Sequence, residues 1–79
     1  MTVYKLNSEV RLAKNLPELG LIKSDVATVI DRVQRGNKAG YCLEFFDNNG
    51  NTILVTIVDE DAIQQPIQHG VVHYREYAH

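Results

Sequence analysis

The stretch "VATVIDRV" is dense in β-branched residues on both faces, with Val29 favoured as inward, "YCLEFFD" and "TILVTIV" carry apolar residues at every second position, and "QRGNKAG" and "DNNGN" separate the three. A period of two places alternate side chains on opposite faces of an extended strand, and β-branched and aromatic residues fit a pleated surface. In the middle stretch Tyr41, Leu43 and Phe45 share one face, and Cys42, Glu44 and Phe46 the other. In the last, Ile53, Val55 and Ile57 share one face, and Leu54, Thr56 and Val58 the other. The link "DNNGN" reads as a tight hairpin, because Asn49 and Gly50 tolerate the positive φ that such turns demand.

The rest of the chain fits the same scheme. In "SEVRLAKN", Val10 and Leu12 alternate with Glu9 and Arg11, as a half-buried strand requires. "LPELGLIKSD" is punctuated by Pro17 and Gly20 and is too irregular for strand or helix. "DEDAIQQ" reads as a single helical turn with Asp59 at its N-cap, and "GVVHYREY" reads as one more strand. Short strands at close spacing predict a small antiparallel barrel. With 79 residues the chain fills one core, so residues 1–79 are read as a single domain with a C-terminal extension from about residue 64. The predicted core is Val10, Leu12, Val29, Tyr41, Leu43, Phe45, Ile53, Val55 and Ile57.

Charge narrows the partners. Eight basic residues against ten acidic ones give a net charge of −2, which is no footprint for duplex DNA or an anionic membrane. Cys42 is the only cysteine, so an intramolecular disulfide is ruled out and a reducing compartment is expected. The first residues lack a signal-peptide pattern, and no apolar run approaches the roughly 20 residues of a membrane helix, so the expected location is the cytoplasm.

The stretch "LPELGLIKSDVATVIDRV", followed by "YCLEFFDNNGNTILVTI", gives residues 8 to 63 a resemblance to a small bacterial family, the domain of unknown function numbered 4926. The resemblance rests on Leu16, Pro17, Glu18, Gly20 and Leu21, then Asp25, Thr28 and Val29, then Tyr41, Glu44 and Phe45, and finally Gly50 and Thr52. Asn49 stands near the position of the family's turn acid. Ser24 and Ala27 stand where the family tends to have glycine. At position 24 a side chain bears strain if φ is positive, and at 27 it adds a methyl group where two backbones would approach. The resemblance implies an SH3-like barrel with a diverging turn between its first two strands. It implies no activity, since a barrel of this class hosts unrelated functions.

Few residues carry a chemical signature. His69 and His73 share the spacing of a metal pair on a helix, but in a strand they lie ~13 Å apart, too far for one ion. They read, with the terminal His79, as solvated histidines. Nothing near Cys42 in sequence activates it as a nucleophile, and the run Asp59, Glu60, Asp61 reads as a solvated helix start. Asp25 is expected to cap the diverging turn through backbone contacts. No catalytic residue, metal ligand or cofactor is assigned.

Two functional readings follow. The first is a non-catalytic module that binds a protein through Glu18, Gly20 and Asp25 of the diverging turn and an outward patch of Phe46, Leu54 and Val58 beside Cys42. An antitoxin, immunity or accessory-subunit role suits such a module by analogy. The second is a weak RNA-binding barrel using Arg32, Arg35 and Lys38 around the second turn, although the net charge disfavours nucleic acid. The apolar residues Ile67, Val71, Val72, Tyr74 and Tyr77 offer cover for the outward patch. That cover falls on the chain's own barrel or, by exchange, on the partner in a homodimer. Since no metal is assigned, EDTA is expected to leave the melting temperature unchanged; a drop of several degrees in a thermal melt would restore His69 and His73 as ligands.

Overall fold

The computed structural model describes residues 4–65. Five antiparallel strands follow one another: β1 (Glu9–Leu12), β2 (Val26–Arg35), β3 (Lys38–Phe46), β4 (Thr52–Asp59) and β5 (Ile63–Gln64). Their order across the sheet is β4-β3-β2-β1-β5. The sheet curls until the two ends of this order share one core, the half-barrel of an SH3-like domain. Val10 and Leu12 of β1, Val29 of β2, Tyr41, Leu43 and Phe45 of β3, Val58 of β4 and Ile63 of β5 belong to a single buried cluster. Short 3-10 turns over Pro17–Leu19 and Glu60–Ala62 connect the strands at the corners. The strand read over residues 70–77, and the apolar residues from Ile67 to Tyr77, lie outside the described residues.

The turns are set by local chemistry. Arg35 pairs with Lys38, so the β2–β3 link is only Gly36 and Asn37, shorter than the seven residues the sequence suggested. The β3–β4 hairpin also differs from expectation. Of Asn49 and Gly50, only Gly50 has a positive φ, +83°. The Gly50 amide donates to the Asp47 carbonyl at 3.0 Å, and the Asp47 amide donates to the Asn51 carbonyl at 2.9 Å. This is a β-turn closed by a left-handed glycine, with three residues in the loop rather than two. Asp47 is buried, and its Oδ1 accepts from the Asn49 and Asn51 amides, each at 2.9 Å. An aspartate in this role replaces backbone partners that a tight turn lacks.

The hairpin starts β4 with Phe46 opposite Thr52. One residue later a bulge intervenes: Phe45 faces Leu54, and Ile53 is left over. A single inserted residue turns every later side chain to the other face. Thus Leu43 pairs with Thr56 and Tyr41 with Val58, while Val55 and Ile57 pair with the outward Glu44 and Cys42. The expected β4 core of Val55 and Ile57 is therefore corrected to Leu54 and Val58, with Ile53 also packed against the cluster. A second bulge lies in β2 at Ile30, between the pairs Val29–Leu43 and Asp31–Cys42, and Val29 is inward as expected.

Two further corrections concern small features. Ala27 pairs with Val10, and its methyl is part of the core. The Asp59 side chain makes no capping hydrogen bond, and the residues Ile63 and Gln64, read as part of a helical turn, form β5 instead. Their pairing with Leu12 and Arg11 adds a fifth strand beside β1. Tyr4 fastens the same end: its amide donates to the Tyr41 hydroxyl and its own hydroxyl to the Ile63 carbonyl, both at 3.2 Å. The two rings meet edge to face at 5.4 Å. Burial, then the neighbouring Tyr41 and Glu60, raise the pKa of the Tyr4 phenol above its ordinary value.

The inverted β4 has a direct energetic consequence. Phe45→Ala removes a fully buried ring and is expected to cost about 3–5 kcal/mol. Ile57→Ala, by contrast, trims a side chain that is 52 % exposed, and it is expected to change stability by no more than about 0.5 kcal/mol. Urea denaturation of the two variants measures both; a cost at Ile57 as large as that at Phe45 would mean that β4 faces the other way.

Candidate interaction surface

The outer face of β3 and β4 is built in rows by the strand register. Asp59, Gly40 and Val33 form one row, Ile57, Cys42 and Asp31 the next, and Val55, Glu44 and Thr28 a third. Phe46 and Thr52 follow beyond the bulge. Val55 is 49 % and Ile57 52 % exposed, and Ile30, on the β2 bulge, is 38 % exposed. Cys42, Phe46 and Val33 are half-buried between them. Glu44, in the middle of β3, is held down by a hydrogen bond from the Thr52 hydroxyl. Apolar residues therefore line the outer face of β3 and β4, interrupted on β3 by Glu44, and β4 is an edge of the sheet among the described residues.

Gly40 shapes one end of this face. A Cβ there would lie 2.9 Å from the Val58 carbonyl oxygen and 3.2 Å from Val33 Cγ2. Only glycine lets the β4 backbone approach so closely, and its missing side chain leaves a notch of about 280 Å³ between Val33 and Ile57. Arg35, Lys38 and Asp59 line the same notch, so the two cations share it with a carboxylate.

The diverging turn lies beside β4. Leu16 and Leu21 exchange backbone hydrogen bonds of 2.9 and 3.1 Å across the Pro17–Leu19 turn, which Gly20 ends in the left-handed conformation. Asp25 is buried, and its Oδ2 accepts from the Ile22 amide at 2.9 Å, the backbone cap expected from sequence. Its carboxylate is thus engaged in holding the turn. Glu18 is exposed, and with Leu16, Leu19, Ile57 and Asp59 it lines a groove of about 220 Å³ between the turn and β4. Lys14, at the end of that groove, pairs with Asp61 at 3.4 Å, an exposed contact of small energetic weight.

The patch predicted from sequence is thus half right in membership. Cys42 and Phe46 are on the outer face, but Val58 is 7 % exposed and Leu54 packs against the core. The bulge at Ile53 exchanges them for Ile57 and Val55. Sequence reasoning missed those two because both faces of "TILVTIV" are apolar, and nothing in the run marks the inserted residue. The basic trio is also divided. Arg35 pairs with Lys38 on the outer face, whereas Arg32 pairs with the inward Tyr41 and so lies on the opposite side. Among the described residues, no three His, Cys, Asp or Glu side chains converge on a point that could hold a metal ion. His69, His73 and His79 lie outside those residues.

Ser24 has a φ of +77°, the strained value considered for this position. A left-handed conformation costs a residue with a Cβ roughly 1–2 kcal/mol, partly offset by the extra freedom glycine gives the unfolded chain. Ser24→Gly is accordingly expected to stabilise the domain by up to about 1 kcal/mol. Loss of stability in a denaturant titration would contradict the strain.

Among the described residues, no helix is long and apolar enough to cross a membrane. No curated protein matches the chain, and no solved structure does. A family model does match it, over residues 6–65. That span takes in all five strands, both 3-10 turns and the diverging turn. The chain belongs to the family described as "Domain of unknown function (DUF4926)".

Proposed function

We propose that this chain is a small, non-catalytic interaction module of the bacterial cytoplasm, and that it binds another protein through the outer face of β3 and β4. One observation carries the reading: Val55 and Ile57 of β4 are about half exposed, Ile57 lies opposite Cys42 of β3, and Phe46 lies further along the same face of β3. Single exposed aliphatics are ordinary on a protein surface, but a contiguous apolar stripe marks a contact. Fully burying each large aliphatic is worth about 1.5–3 kcal/mol, so covering the stripe supplies a substantial driving force for association. The groove beside Glu18 and Leu19 adjoins the stripe at Ile57 and extends the same surface. An antitoxin, immunity or accessory-subunit role fits a module of this kind, and the single cysteine, Cys42, suits a reducing compartment.

RNA binding through Arg35 and Lys38 is the competing reading, and Asp59 in the same notch weakens the field it would need. Affinity capture from native lysate separates the two. The tagged full chain is expected to retain a protein as salt rises and after nuclease treatment, and folded Ile57→Lys is expected to lose it. Capture that survives Ile57→Lys but fails with high salt, with nuclease or with Arg35→Glu would favour RNA.

A further inference from the structure

We propose that Asn49 is a site of spontaneous deamidation, and that the β3–β4 hairpin, braced by Asp47, withholds the reaction until it opens. This goes beyond the module reading and does not depend on it, because it concerns the loop that launches β4. The step is intramolecular, and proximity makes such attacks efficient. The Gly50 nitrogen attacks Cγ of Asn49, the Cγ–Nδ2 bond breaks, and the departing amide group takes up the Gly50 proton and leaves as ammonia. Water then opens the resulting succinimide. Cleavage between the nitrogen and Cγ gives aspartate, and cleavage between the nitrogen and the main-chain carbonyl carbon gives isoaspartate. Water is the only co-reactant.

Sequence and exposure together single out position 49. Asn49 is the only asparagine of the chain that precedes glycine. A side chain on the following residue hinders the approach of its nitrogen, and glycine has none. Both residues are exposed, and a Cβ on Gly50 would meet no atom within 4 Å. Among the described residues, no hydrogen bond engages the Asn49 carboxamide. The electrophile is therefore free, and control falls to the nucleophile.

That nucleophile is tied down. The Gly50 amide donates to the Asp47 carbonyl at 3.0 Å, and it must lose that proton to attack. A hydrogen-bonded amide surrenders its proton only when the bond opens. The amides on either side, of Asn49 and Asn51, each donate to Asp47 Oδ1 at 2.9 Å. Three consecutive amides thus converge on Asp47, whose burial limits competition from water.

Once it has occurred, the reaction keeps the hairpin from closing as before. Either product adds a carboxylate to a loop organised around Asp47, and like charges at that range repel. Isoaspartate further lengthens the backbone by one carbon between positions 49 and 50. The Asp47 amide donates to the Asn51 carbonyl at 2.9 Å, so the three-residue loop has no slack to absorb an extra atom. The anchor that starts β4 opposite Phe46 is weakened in consequence.

Incubation of the full chain at mildly alkaline pH, in buffer and in denaturing urea, tests the proposal. Conversion is followed by ion-exchange chromatography and by peptide mapping that distinguishes aspartate from isoaspartate. The products are expected at position 49, and the folded chain is expected to convert about tenfold more slowly than the unfolded one, or slower still. Asp47→Ala, with folding checked by circular dichroism, is expected to convert several-fold faster than the parent in buffer and at the same rate in urea. Should that variant fail to fold, the parent in urea below its unfolding midpoint serves instead, with a rate expected to climb with denaturant. The proposal is overturned by equal rates in buffer and denaturing urea, or by an unfolded chain that yields neither product at position 49. Folded Asp47→Ala converting no faster than the parent, or a parent rate that stays flat below the midpoint, would also overturn it. None of these outcomes bears on partner binding, which is read separately by capture.

Discussion

Ile53 occupies a place in β4 that no residue of β3 opposes, and every side chain beyond it is turned to the other face. Without that insertion, Ile53, Val55 and Ile57 would complete the core with Tyr41, Leu43 and Phe45. With it, Leu54 and Val58 take the inner positions, together with a half-buried threonine, Thr56, opposite Leu43. An aliphatic pair is left outside while a hydroxyl is turned inside. For a domain with few core residues to spare, this arrangement trades burial on one face for an apolar surface on the other.

The remaining structure holds that strand where it is. Asp47 fixes the loop from which β4 departs, through two amide hydrogen bonds to one carboxylate oxygen. Gly40 lets the β3 and β4 backbones approach closely just before the corner at Glu60–Ala62. Beyond the corner, β5 pairs with β1, and Tyr4 lies against Tyr41 and the Ile63 carbonyl. The diverging turn is braced separately by Asp25, by the Leu16–Leu21 bridge and by the Lys23 amide, which donates to Asn15 Oδ1 at 2.8 Å. Each brace is a short polar contact at a corner, and the apolar cluster fills the space between corners.

Much of this was legible in the residues, and what was not has a physical reason. Alternation in "SEVRLAKN" and "YCLEFFD" and the β-branched density of "VATVIDRV" located three strands, and the inward set Val10, Leu12, Val29, Tyr41, Leu43 and Phe45 is buried as read. The motif residues from Leu16 to Asp25 pointed to the diverging turn. Parity in β4 was not legible, because a period of two carries face information only when one face is polar. In "TILVTIV" both faces are apolar, so the assignment rested on counting from the hairpin, and a bulge defeats counting. Ser24 illustrates the converse: a departure from the family's glycine marked a strained residue that local propensity alone would not have shown. Tyr4 and β5 escaped notice because their roles depend on contacts with residues distant in sequence.

The outward Val55 and Ile57 are apolar because the strand is inverted, and the inversion leaves the strand order of the sheet unchanged. The same strand contributes its inner face to the core and leaves Val55 and Ile57 exposed on its outer face. Both of these rest on which way β4 faces, so nuclear Overhauser contacts between methyl groups and aromatic rings in the folded protein are the most direct test. The account predicts contacts from the Val58 methyls to the Tyr41 ring and from the Leu54 methyls to the Phe45 ring, with none from Val55 or Ile57 to either ring. Contacts from Ile57 to Tyr41 and from Val55 to Leu43, with Val58 and Leu54 silent, would contradict it.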